Sequence, residues 1–286
     1  MNKKKLSLLL AEIVTLTLAL LFISPLILVF VNSAKGNQEI FLTPLAMPEN
    51  WNNLISNITS IWSNPNVGYP NALFSSFFIT VCSLAGIVIT SAMAAWVLVR
   101  TKSKISTAIF LMFVAAMVIP FQVVMFPLVK WFSIVQNAIG IQLLRSYTGI
   151  IIAYLGFGSS LSVFMFHGFI KGIPLEIEEA AAIDGCSKIK TFFFIILPIL
   201  KPIVVTVLVL NGIWIWNDYL LPLLVLGKGS LVQTLPLAVS NFAGAFLKQW
   251  GLMMTAILMA LVPVVIFFIF AQKHIIKGMV EGAIKS

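Results

Sequence analysis

The side chains able to do chemistry in this chain are few: only 9% of residues are charged, and nine of those are acidic. Their densest run is Glu178-Glu179-Ala180-Ala181-Ala182-Ile183-Asp184-Gly185, which continues through Ile195-Ile196-Leu197-Pro198 to Pro202. The chemistry such a run suits is docking rather than bond making. Pro174 fits a first helical turn, where its missing N–H costs little. Glu176, Glu178 and Glu179 follow at the end of a helix that favours negative charge. Three alanines then give a strong helix with almost no side-chain bulk. Gly185 can end it in a left-handed conformation, and Ser187 can cap a second helix reaching Ile196. The expected shape is a short narrow helix, a sharp turn and a second helix. Such a helix enters a groove on a partner, because alanine lets backbones come close.

A second polar group comprises Asn211, Trp214, Trp216, Asn217, Asp218 and Tyr219, set in an apolar stretch. A carboxylate there is costly against lipid, so it is expected to face protein or water. Aromatic faces and amide groups suit a sugar, through C–H packing and hydroxyl contacts. A structural polar network near a helix end explains the same residues. Gln122 likewise has two readings, facing a pathway or bonding between helices. Glu12 is read as reaching the interface or pairing with a lysine, and the lone His167 as a packed or interfacial residue.

Other chemistry is not legible. Gly227-Lys228-Gly229-Ser230 lacks the spacing of a phosphate-cradling loop, so no ATP hydrolysis is expected. Neither a Ser/His/Asp set nor paired catalytic carboxylates is visible. Cys82 and Cys186 are expected at different levels, which implies no disulfide framework. His167 and His274 are too far apart in sequence to suggest a metal centre.

The elements that must position these residues follow from composition. A chain of 286 residues, 60% hydrophobic, with a mean hydropathy of +1.07, is expected to be an all-α polytopic membrane protein. Six spans are read: Leu6 to Val31, Asn71 to Val99, Ile105 to about Val129 with breaks at Pro120 and Pro127, Thr148 to Ile170, Ile203 to Val225, and Gly251 to about Ala271. The first apolar run is too long for a cleaved leader and is read as a retained span. Lys130 to Tyr147 and Gly227 to Trp250 are read as outer connections, and Asn32 to about Pro70 as the longest polar stretch. Small residues from Ser83 to Ala95 suit close helix packing.

Net charge is +9, but no basic helix or aromatic-basic platform points to nucleic acid. The positive-inside rule accounts for it. With both termini cytoplasmic, most Lys and Arg fall inside, and Lys35, Lys130, Arg145, Lys228 and Lys248 fall outside.

From Glu179-Ala180-Ala181 through Asp184-Gly185 to Phe192, Ile195, Leu197 and Pro198, the chain resembles the EAA loop of ABC-importer permeases. Pro48 to Leu54, Ile119-Pro120-Phe121-Gln122, Trp216-Asn217-Asp218-Tyr219 and the tail from Gln272 to Lys285 resemble the carbohydrate subgroup of that family. The resemblance implies a type I ABC importer transmembrane domain. The EAA loop would be a cytoplasmic coupling helix, with Glu178, Glu179, Ala180, Ala181, Asp184, Gly185, Leu197 and Pro198 as its ATPase-coupling residues. Gln122, Asn211, Trp216, Asn217 and Asp218 would be candidates for the substrate pathway.

It also implies partners: a second homologous permease, two ABC ATPase subunits that use ATP and Mg, an extracytoplasmic solute-binding protein and a sugar. The expected location is the cytoplasmic membrane of a prokaryote. The expected organisation is 1–70 for the first span and external loop, 71–272 for the transmembrane core with a coupling loop at about 171–202, and 273–286 for a cytoplasmic tail. No cofactor is expected on this chain. An importer of a polyol or glycerol-phosphate ester, an ion-coupled carrier using Glu12, His167 and Asp218, and a membrane scaffold are the alternatives.

Overall fold

The computed structural model describes residues 3–65, 67–245 and 249–283, and its regular elements there are all helical. Lys248 and Lys285, two of the charges used to orient the chain, lie outside the described residues. In chain order the helices are α1 (Lys3–Ser33), α2 (Asn37–Leu42), α3 (Asn52–Ser63), α4 (Tyr69–Arg100), α5 (Lys104–Val118), α6 (Phe121–Ile139) and α7 (Tyr147–Ile170). Then come α8 (Glu176–Ile183), α9 (Lys188–Thr191), a π-helical turn (Phe192–Ile196), α10 (Leu197–Ile199), α11 (Lys201–Asn217), α12 (Leu220–Val225), α13 (Leu235–Ala245) and α14 (Trp250–Ala283). Four helices are singly long and apolar enough to cross a membrane, and two bent pairs bring the crossings to six when each pair counts as one.

The chain divides into two compact units. One comprises Met1–Pro70 and Ala238–Pro263. Most described apolar side chains of α1 in it are exposed, including Leu16, Leu21 and Phe22. In hydrocarbon such a surface is solvated by lipid tails and needs no protein cover. Burial begins at the end of α1, with Val31, Asn32 and Ser33, and continues through Ala34 and Lys35. There the carbonyl of Ser33 accepts hydrogen bonds from Asn57 Nδ2 and Thr255 Oγ1, both at 2.9 Å. Lys35 is fully buried and donates to Thr43 O at 2.7 Å. The polar stretch is therefore structured, with α2 and α3 inside it.

The other unit comprises Asn71–Leu237 and Val264–Ser286 and holds the principal core. Helix α7 runs through that core, burying Ile150, Tyr154, Val163, Phe166 and Ile170. Ser146 caps it by accepting from Gly149 N at 3.2 Å. Small residues decide which neighbours come close. A β-carbon added at Gly158 would stand 2.5 Å from Ile87 Cδ1 and 2.8 Å from Asn211 Oδ1. Glycine is what lets α4 and α11 approach α7 at this level.

Two spans differ from expectation. The third does not run from Ile105 to Val129 as one kinked rod. Pro120 pushes Ile119 into an extended conformation (φ −74°, ψ 117°), α5 stops, and α6 leaves at 109°. Pro127 lies inside α6 without ending it, and the helix passes Lys130 to stop at Gly140 with φ +72°. The outer connection expected from Lys130 is thus helical to Ile139.

The fifth span ends at Asn217, not Val225. Asp218 leaves the helix with ψ 129°, and its Oδ1 accepts from Leu220 N at 3.0 Å at the start of α12. Local side-chain bonding of this kind competes with continued helix. The segment expected to be an outer connection from Gly227 to Trp250 contains α13, and α14 continues past Ala271.

Candidate functional site

Helix α8 carries the alanine-rich run. Its backbone closes at Gly185, whose φ is +79°, while Cys186 N donates to Ala181 O and Gly185 N to Ala182 O. That is the left-handed ending expected of glycine. Ser187 Oγ then accepts from Lys190 N at 3.4 Å and starts α9. Helix α8 itself begins at Glu176, two residues after Pro174.

The second limb is not plain α-helix. Between Phe192 and Ile196 it widens into a π turn, in which Leu197 N donates to Phe192 O. Pro198, two residues beyond this turn, has no N–H and its ring crowds the carbonyl four residues back, and a wider turn relieves that crowding. At Leu200 the chain bends by 77° into α11. Periodicity does not reveal this; the proline was the available signal.

Exposure divides the residues of the loop. Glu176, Glu179, Ala180, Ala182, Asp184 and Gly185 are exposed, as is Ile183 at 86%. Ala181 is buried. Leu197 is half-buried and Pro198 exposed.

Glu178 departs from the others. Its Oε1 accepts from Arg100 Nε at 2.7 Å and its Oε2 from Trp96 Nε1 at 3.0 Å. Arg100 Nη2 also donates to Ile173 O at 3.0 Å. The two side chains are 20% and 12% exposed, and this is the ion pair among the described residues. Both carboxylate oxygens of Glu178, one of the residues implied to couple, are thus held within the chain. Its partners lie 78 and 82 residues away in sequence, which no local pattern reveals.

The candidates for the substrate pathway are not brought together. A cavity of about 630 Å³ is lined by Phe121, Trp131, Phe157, Ser160, Asn211 and Trp214, among others. Of the five sequence candidates only Asn211 lines it. Asn211 is buried and donates to Ser162 Oγ at 3.1 Å and to Val207 O at 3.0 Å. Gln122 is exposed on the first turn of α6, and Asn217 is exposed and donates to Ile213 O of its own helix. Trp216 is half-buried. Asp218 accepts from Tyr154 Oη at 3.1 Å while it starts α12, which is the structural network considered from sequence. Trp131 of α6 and Trp214 of α11 also line the cavity; Trp214 belongs to the polar group read from sequence, whereas nothing in the sequence pointed to Trp131.

The ionisable residues considered for a carrier are also placed. His167 is buried and stacks on Phe110, with ring centroids 3.7 Å apart and planes at 17°. Glu12 is exposed on α1. No cluster of His, Cys, Asp and Glu suited to a metal ion occurs among the described residues.

Comparison with known proteins gives a consistent result. The profile of the family described as "Binding-protein-dependent transport system inner membrane component" matches residues 86–281. The "Probable starch degradation products transport system permease protein AmyC" of Thermoanaerobacterium thermosulfurigenes is 43% identical over 271 residues, covering 94% of each chain. The "Multiple sugar-binding transport system permease protein MsmG" of Streptococcus mutans is 31% identical over 93% of each chain. The "Melibiose/raffinose/stachyose import permease protein MelC" of Bacillus subtilis is 32% identical over 80% of each. In fold, the chain is similar to one in the crystal structure of a bacterial ABC transporter involved in the import of the acidic polysaccharide alginate. The TM-score is 0.77 at 18% identity, covering 96% of this chain and 98% of that one.

Proposed function

The chain belongs to the family of binding-protein-dependent transport system inner membrane components, multi-pass proteins of the cytoplasmic membrane, and from that premise we propose that it is the permease subunit of an ATP-driven importer of a sugar or oligosaccharide. The names of its relatives support the sugar class, and the first of them directs attention to starch fragments. In this reading the chain binds no cofactor. A second, homologous permease completes the pathway, two ABC ATPase subunits use ATP and Mg, and an extracytoplasmic binding protein delivers the solute. Both termini face the cytoplasm, residues 71–272 form the transporting core, and the end of the chain from residue 273 is its cytoplasmic tail.

The observation that carries the coupling reading is the exposure of α8. Its carboxylates Glu176 and Glu179, and Asp184 after it, point outward beside Ala180 and Ala182, which offer no bulk. A helix with a thin, acidic outer face is suited to a groove that supplies backbone contacts and basic groups. ATP draws the ATPase subunits together, and α8 is carried with its groove. The packed helices then turn the pathway from one side of the membrane to the other, as rigid elements shifting against each other. This reading assigns to the pathway the cavity lined by Asn211, Trp131 and Trp214.

The test is co-purification of the tagged chain from membranes, followed by reconstitution into vesicles and uptake of radiolabelled maltotriose as a starch fragment. Recovery of an ATPase, a second permease and a binding protein, with uptake that needs ATP, is the expected result. Recovery of the chain alone, with uptake abolished by an uncoupler at constant ATP, overturns the proposal in favour of an ion-coupled carrier.

A further inference from the structure

We infer that Glu178, Arg100 and Trp96 form a clamp that makes α4 the strut carrying movement of the coupling helix through the membrane; this rests on the proposed function above.

The clamp holds both limbs of the coupling region from one helix end. Arg100 and Trp96 lie one turn apart, the last of them ending α4. Through Glu178 they hold α8, with two hydrogen bonds to its two carboxylate oxygens. Through Ile173 O, Arg100 also holds the segment that leads from α7 into α8. The ring of Trp96 packs on Phe192, with centroids 5.5 Å apart, and Phe192 is the first residue of the π turn in the second limb. One turn of α4 therefore touches the segment before α8, α8 itself and the limb after it. The arginine fork suits this task, since its planar donors reach a carboxylate and a carbonyl at once.

The other end of α4 is also tied. Ser75 Oγ and Tyr147 Oη are hydrogen-bonded at 2.8 Å, which joins α4 to the first residue of α7. Ser76 Oγ accepts from Leu235 N at 2.7 Å, which joins it to the first residue of α13. Both ties are on one helix of 32 residues without an internal break. At a rise of about 1.5 Å per residue, Ser75 and Arg100 are separated by roughly 38 Å of helix. A continuous helix bonded at both ends transmits a displacement along its axis, whereas the third and fifth spans are interrupted by bends of 109° and 77°.

The charge pattern fits the same division of labour. Glu178 is the acidic residue of α8 turned inward, while Glu176 and Glu179 are left exposed for a partner. The helix thus has an outer face that docks and an inner carboxylate that hands the load to α4. Glu178 and Arg100 are positioning residues, acting through α4.

The test uses the complete transporter in vesicles and reads the uptake of radiolabelled maltotriose per ATP hydrolysed. Arg100→Cys with Glu178→Cys, in a Cys82→Ser, Cys186→Ser background, removes the ion pair and allows a short, reducible bis-thiosulfonate bridge to replace it. Without the bridge, uptake per ATP is expected to fall about tenfold relative to the background, the size of a typical coupling between sites. With the bridge it recovers, and reduction abolishes the recovery. Trp96→Phe keeps the ring on Phe192 but removes the N–H donor, and gives a smaller loss in the same ratio. A purely structural role lowers the amount of assembled complex and leaves uptake per ATP unchanged; that result, or arrest of uptake by the bridge, overturns the clamp. Failure of an ATPase to co-purify with the unmodified chain overturns the importer reading, and the clamp with it.

Discussion

Tyr154 Oη donates to Asp218 Oδ2 at 3.1 Å, joining α7 to the residue at which α11 stops. The same carboxylate accepts from Leu220 N and Leu221 N through its other oxygen. Tyr154 packs edge-on against Trp214, 5.4 Å between centroids. One tyrosine therefore fixes both the polar end of α11 and an aromatic wall of the cavity. Tyr154→Phe keeps the ring and removes the donor, which leaves Asp218 Oδ2 short of a partner. The expected loss is about 1–3 kcal/mol of stability, read as earlier thermal unfolding of the purified chain in detergent.

Asp218→Asn separates this structural role from an ion-carrying one. Asparagine keeps an acceptor for the Leu220 and Leu221 amides, so uptake in vesicles is expected to stay within about threefold of the original, an effect of roughly 0.6 kcal/mol. An ion-coupled carrier that needs the carboxylate loses uptake altogether in the same assay.

The close approach at Gly158 predicts a second kind of loss. Gly158→Leu drives a branched side chain into Ile87 and Asn211. Overpacking costs about 1–3 kcal/mol, and displacing Asn211 also breaks its bond to Ser162. The expected outcome is a lower level of folded chain and a lower unfolding temperature. Gly156→Leu is the control: a β-carbon there meets nothing within 4 Å, so the chain is expected to fold normally.

Sequence was a good guide where one residue acts on its own backbone. Gly185 ends α8, Ser187 starts α9 and Pro120 breaks the third span, each for a reason visible in the residue itself. It was a poor guide where partners lie far apart. Glu178 looks like Glu176 and Glu179 in a one-dimensional reading, and only its meeting with Arg100 and Trp96 turns it inward. Asp218 falls within a span in the sequence reading because the apolar run continues to Val225, yet its side chain bonds to the backbone ahead of it and stops the helix. The polar stretch hid α2 and α3 because they are short and are held by distant groups: Asn57 Nδ2 of α3 donates to Ser33 O, and Asn37 Oδ1 of α2 accepts from Trp250 N. Pro127 misled in the opposite direction, since α6 accommodates it.

The exposed face of α8 gives a test of docking that leaves the clamp intact. Glu179→Lys reverses a charge on that face without touching Arg100 or Trp96. Recovery of the ATPase with the tagged chain is expected to fall about tenfold, a cost of roughly 1.4 kcal/mol, while the amount of chain in the membrane is unchanged. Undiminished recovery of the ATPase places the partner elsewhere on the molecule.

Gly185 provides the sharpest separation of folding from coupling. Its φ of +79° is strained for residues with a β-carbon, yet a β-carbon there would meet nothing within 4 Å. Substitution therefore costs backbone strain and not packing, about 1–2 kcal/mol for alanine or valine. The strain is relieved by changing the turn, which tilts α8 relative to α9. Asparagine tolerates left-handed backbone better than other residues. The expected order of uptake per ATP is thus glycine, then Gly185→Asn, then Gly185→Ala, then Gly185→Val, with the chain present in the membrane at similar levels in all four. Equal uptake across the series shows that the angle between α8 and α9 does not matter for transport. Loss of the chain from the membrane in the valine variant alone shows that the turn is needed for folding and not for coupling.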